Sequence, residues 1–232
     1  MRAPPRLAAL PVMVVVPSAT RVRVSALLVV SIVLLSAMSL AWAAEPGAPS
    51  PSDGGLKPVA AFTGIADRTE RSVALFKEAG KVLQNPRCLN CHPVGRRPTQ
   101  GDDLHAHVPP MQASLTGLGV PALPCYSCHG PANTATLLPT IQSIPGNPSW
   151  SLAPASMSWQ GKSLGEVCVQ IKDQERNGGR SLEQIHEHLS KDLLVGWAWH
   201  PGAGRKPAPG TQAQFGELIR AWIDSGAACP AP

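Results

Sequence analysis

The chain has 232 residues and a formal net charge of +5, with 25 Pro and 21 Gly but only 6 Cys and 7 His. Residues 1–44 hold four of the 20 Lys+Arg and none of the 15 Asp+Glu, so the remainder is nearly neutral, at 16 against 15. That balance leaves no basic patch for nucleic acid, and strand-like alternating runs are scarce.

In chain order, Arg2, Arg6, Arg21 and Arg23 accompany a nearly unbroken apolar run from Val24 to Leu40, followed by small residues at Ala41, Ala43 and Ala44. This is the pattern of a secretory signal peptide over residues 1–44, cleaved near Ala43 or Ala44. The alternative is an uncleaved signal anchor, the one route by which the chain would meet a membrane. Export to the periplasm follows from the cleaved form. Residues 45–64 begin with a Pro-, Gly- and Ser-rich stretch and are expected to form a disordered tether. Residues 65–232 then make one domain.

The first helix is expected over 68–84, where Val73, Phe76, Gly80 and Leu83 fall near helical spacing and Asn85-Pro86 stops the run. Directly after it comes Cys88-Leu-Asn-Cys91-His92, and the arrangement returns as Cys125-Tyr-Ser-Cys128-His129. A Cys-x-x-Cys-His run is the attachment signature of c-type haem. Two thiols one helical turn apart reach two porphyrin vinyl groups and form thioethers, and the histidine that follows becomes the proximal iron ligand. The doubled motif predicts two haem c groups, held covalently by Cys88, Cys91, Cys125 and Cys128, with His92 and His129 on the irons. A zinc site from the two pairs would leave both histidines unexplained, and Cys-x-x-Cys disulfides are more often redox-active than structural.

Residues 93–124 hold six Pro and several Gly. A structureless stretch of that length needs something to organise it, and a flat apolar macrocycle would serve. Trp150, Trp159, Trp197 and Trp199 are candidates to pack on it or simply to fill the core. Ser163-Leu-Gly-Glu166 and Ser181-Leu-Glu-Gln184 read as capping boxes opening two helices. A last helix starts near Thr211, with a stripe of Phe215, Leu218, Ile219, Trp222 and Ile223 and a Gly226 cap. Cys168 and Cys229, left over in an oxidising compartment, are expected to form a disulfide. The expected fold is all-α and loop-rich, ordered by its cofactors.

A sixth iron ligand would come from His or Met. Candidates are His105 and His107, with Asp102 or Asp103 able to orient an imidazole, together with Met111, Met157, His186, His188 and His200. Helical periodicity alone turns His186 inward and leaves His188 on the flank.

The strings CLNCHPVGRRPTQGDDLHAH, CYSCHG, LAPASMSWQGKSLGEVCVQIKD, RNGGR and LVGWAWHPGAGRKPAPGTQAQFGELIRAWIDSGAACP span most of residues 65–230. They resemble a family of small exported bacterial di-haem cytochromes c, often labelled isoquinoline 1-oxidoreductase subunit. The resemblance implies a cytochrome c-like domain that carries electrons from a dehydrogenase, such as a molybdenum hydroxylase, to a downstream cytochrome or oxidase. It implies His105 and His107, Met157 and His188 as the distal set, favouring His188 over His186. Where members carry a histidine after the tryptophan matching Trp150, this chain has Ser151. A di-haem enzyme of the peroxidase kind, or a haem sensor with one open iron, is the alternative.

Overall fold

The computed structural model describes residues 54–232; the expected signal peptide, its cleavage site and most of the tether lie outside them. Among the described residues, six α-helices are joined by short 3-10 turns and irregular chain: α1 (Arg68–Leu83), α2 (Pro86–Leu89), α3 (Leu164–Lys172), α4 (Leu182–Lys191), α5 (Leu193–Gly196) and α6 (Gln212–Asp224). None of the described helices is long and apolar enough to cross a membrane.

The caps explain the boundaries. Asp67 accepts from the Glu70 amide to open α1. Ser163 and Ser181 form complete capping boxes with Glu166 and Gln184, and Thr211 forms a third with Gln214. Each satisfies amides that a helix start leaves free, worth about 1 kcal/mol per cap.

The core is built around α6. Phe215, Leu218, Ile219 and Trp222 are all but sealed from solvent, and α6 packs against both α1 and α4. Phe76 of α1 lies 4.8 Å from Trp222, ring centre to ring centre. Truncating either aromatic to alanine would cost about 3–5 kcal/mol. On α1 the buried face is Ser72, Leu75, Phe76, Ala79, Gly80, Val82 and Leu83, with Val73 at its margin. Ser72 Oγ ties the C-terminal turn to this face, donating to Trp222 O at 3.2 Å and accepting from the Ala228 amide at 2.9 Å. Cys168, buried on α3, is bonded to Cys229, with Cα atoms 5.6 Å apart across 61 residues of sequence.

Two expectations need correction. The fold is not plainly all-α: three two-stranded antiparallel ladders pair β1 (Thr99–Gln100) with β2 (His105–Ala106), β3 (Gly119–Val120) with β4 (Leu123–Pro124), and β5 (Thr134–Ala135) with β6 (Ser143–Ile144). Their residues were too short a run to show a period of two; the Gly and Pro turns between them bring the strands together. The tether also ends early. Leu56 and Phe62 are buried in the core, and Val59–Phe62 form a 3-10 turn against α1 and α6. The composition signal that suggested disorder stops at Pro58, and two large apolar side chains around it are enough to anchor the segment.

Candidate haem sites

The first Cys-x-x-Cys-His run follows a deliberate helix stop. Asn85 accepts from the Arg87 amide at 2.9 Å, and Pro86 occupies the first turn of α2. The chain stays coiled through the motif, with the Cys91 and His92 amides both donating to Cys88 O at 3.1 Å. The second run repeats this on a 3-10 turn: the Cys128 and His129 amides donate to Cys125 O at 3.2 and 3.0 Å. One local geometry therefore serves both copies. All four cysteines are free thiols.

Each histidine is held the same way. His92 Nδ1 lies 2.7 Å from Met157 O, and His129 Nδ1 lies 2.7 Å from Pro145 O. A carbonyl only accepts, so both Nδ1 atoms carry the proton and both Nε2 atoms carry a lone pair, the form a metal requires. A tryptophan covers each ring: Trp159 stacks on His92 at 3.5 Å and 7°, and Trp150 on His129 at 4.7 Å and 19°. Burial pushes the His92 pKa down to about 4 against the pull of the Met157 hydrogen bond, with the nearby His188 adding to the depression. Burial lowers His129 as well, opposed by its bond to Pro145 and aided by His107 and Arg205. Both imidazoles are neutral at pH 7.

His92, Cys88 and Cys91 line a cavity of about 210 Å³ whose other walls include Trp150, Met157, Trp159, Trp197 and His188. Burial raises the Cys88 thiol to about 12, helped by Cys91, and the Cys91 thiol to about 11. Such thiols rest protonated, unlike those of a redox-active dithiol, whose cysteines are acidified. Among the described residues no three His, Cys, Asp or Glu converge as metal ligands. A porphyrin iron asks for less, since the macrocycle supplies four nitrogens and the protein at most two axial ligands.

The residues fit a haem in a further respect. Trp159 Nε1 is buried with no hydrogen-bond partner, and an orphaned donor on a cavity wall costs about 1–3 kcal/mol unless something accepts from it. Arg87, only 4% exposed, and Arg180 line the same cavity. Arg87 pairs with Asp102, and Arg180 is set by Asn177, whose Oδ1 accepts from the Arg180 amide at 2.7 Å. A ligand with acidic side arms suits this cavity.

The second site is more open. Cys128 is exposed, and Cys125 Sγ sits 3.8 Å from Gly117 O. Asn133 Oδ1 accepts from both the Gly146 amide (3.0 Å) and Trp197 Nε1 (2.8 Å). Gly146 has no room for a side chain: a Cβ there would lie 2.1 Å from Ala132 O.

The distal candidates separate. His107 has its Nδ1 2.8 Å from Pro109 O, and its ring centre is 6.0 Å from that of His129, with planes at 60°. His188 lines the first cavity, with Nδ1 3.1 Å from Asp192 Oδ2. Met157 also lines that cavity, but its carbonyl stands behind His92. His105 bonds Asp103 at 2.5 Å, is exposed, and lines no part of the cavity. His186 lies toward α6 in a shallow groove with Gly216 and Arg220. Trp199 packs on Phe215 instead of the cavity.

The two carbonyls that fix the histidines carry no signal in sequence, because any residue could supply them. A signal did exist for the second site's setting: residues 104–161 contain no Asp, Glu, Lys or Arg at all.

The chain matches no family model, no curated protein and no solved structure.

Proposed function

We propose that the chain is a periplasmic di-haem c-type cytochrome that passes electrons from a dehydrogenase, such as a molybdenum hydroxylase, to a downstream cytochrome or oxidase. The observation that carries this reading is the repeated one: in both Cys-x-x-Cys-His runs the histidine donates its Nδ1 proton to a backbone carbonyl 2.7 Å away and keeps Nε2 free.

Haem c, when bound, takes up and releases one electron at its iron. Cys88 and Cys91 would hold one group, and Cys125 and Cys128 the other. His92 and His129 would be the proximal ligands, their ring planes fixed by Trp159 and Trp150. His107 is the best partner for His129. The two ring centres lie 6.0 Å apart with their planes at 60°, so both side chains would be placed to hold one group. His188 is the corresponding choice for His92, since it faces the same cavity and its Nδ1 is held by Asp192.

The test is an optical and EPR spectrum of the exported, haem-loaded protein, oxidised and then reduced under carbon monoxide. Two low-spin irons indifferent to carbon monoxide are expected. A high-spin iron that binds the gas would contradict an electron carrier and favour the enzyme or sensor.

A further inference from the structure

We propose that Trp150 is the bridge through which the two haem sites exchange electrons; this rests on the di-haem reading above. The indole stacks on His129 of the second site at 4.7 Å and 19°. The same side chain lines the cavity that holds Cys88, Cys91 and His92 of the first. It meets Trp197, another wall of that cavity, edge to face at 5.0 Å and 83°. Among the ring pairs of the described residues, Trp159 stacks on His92 and Trp197 meets Trp150, while His129 pairs with Trp150 and His107.

The backbone around Trp150 is pinned to both sites. Pro145 O takes the His129 Nδ1 proton. The Leu152 amide donates to Gly117 O at 3.1 Å, the carbonyl beside Cys125 Sγ, and the Ala153 amide donates to Cys91 O at 3.1 Å. The strap ends at Met157 O, on His92 Nδ1. Trp150 is thus fixed between two sites by contacts to each. Electronic coupling falls steeply with any gap in packing, and a rigid aromatic ring fills the gap with polarisable atoms at little conformational cost. The transfer balances without another reactant: one iron loses the electron that the other gains. The indole is neither oxidised nor deprotonated.

The competing route runs on the thiol side through the strap's own hydrogen bonds: Cys125 Sγ lies beside Gly117 O, which accepts from the Leu152 amide, and the next amide, that of Ala153, donates to Cys91 O. The experiment compares wild type with Trp150→Leu and Trp150→Phe as full-length, haem-loaded proteins. Haem stoichiometry and both midpoint potentials are measured first, then the rate of internal electron redistribution after photoreduction. Trp150→Leu is expected to slow redistribution several-fold beyond what any shift in the two measured potentials accounts for, and Trp150→Phe to slow it less. Wild-type rates in both variants, or slowing explained by shifted potentials, would overturn the proposal in favour of the thiol-side route. If Trp150→Leu does not retain two haems, Trp150→Phe decides by the same criterion. Wild-type protein without two haems would instead overturn the di-haem reading.

Discussion

His92 and His129 each give their Nδ1 proton to a backbone carbonyl, so the tautomer that leaves Nε2 free depends on where the 145–157 strap runs and not on a neighbouring acid. That makes Gly146 critical. Replacing it with alanine sets a methyl against Ala132 O, forcing the strap to move beside Pro145, at a cost of about 1–3 kcal/mol. Gly146→Ala is expected to change the EPR signal of the second haem and leave that of the first, a comparison that one spectrum of each protein makes. His107→Ala removes the ring facing His129. It is expected to open one iron to carbon monoxide while the other stays closed; an unchanged spectrum would strike His107 from the ligands.

At the scale of elements, the disulfide from α3 to Cys229 is the longest-range covalent constraint among the described residues. Closing a loop of 61 residues removes chain entropy from the unfolded state worth about 4 kcal/mol. The Cys168→Ala/Cys229→Ala pair is expected to lose stability of that order in urea unfolding while keeping both haems, since neither residue lines the cavity. The four longer helices were legible because apolar stripes and capping boxes are local signals: Ser163, Ser181 and Thr211 each do what their spacing to Glu166, Gln184 and Gln214 implies. The three ladders were not, because two-residue strands are made by long-range turn geometry. The motif cysteines and histidines could be read directly. The carbonyls of Pro145 and Met157, and the facing of His107 onto His129, depend on how an uncharged, proline-rich stretch folds back, which has no periodicity to read. His186 and His188 show the same limit: with apolar neighbours on both flanks, the helix stripe alone pointed to the wrong one of the two for the cavity.

Across the described residues, the first site is half-buried against its cavity and the second opens to solvent, with Cys88 and Cys91 partly buried and Cys128 exposed. Burial of His92 has a consequence for stability. Its pKa falls from 6.5 to about 4 on folding, so between those values the unfolded chain binds more protons than the folded one. The contribution is complete above about pH 6.5 and is lost as pH drops toward 4, amounting to about 3 kcal/mol. Burial shifts His129 and His188 in the same direction. Urea unfolding of the chain before haem attachment is therefore expected to show falling stability from pH 7 to pH 4; a flat profile would mean that His92 is not sealed.

The proposed electron carrier requires two covalent haems, one on each Cys-x-x-Cys-His run. The direct measurement is the intact mass of the protein exported alongside haem-attachment machinery, taken under denaturing conditions. The expected mass is the polypeptide plus two haems, falling to one in Cys91→Ala and in Cys128→Ala. A mass with no haem, or two haems persisting in both variants, would contradict it.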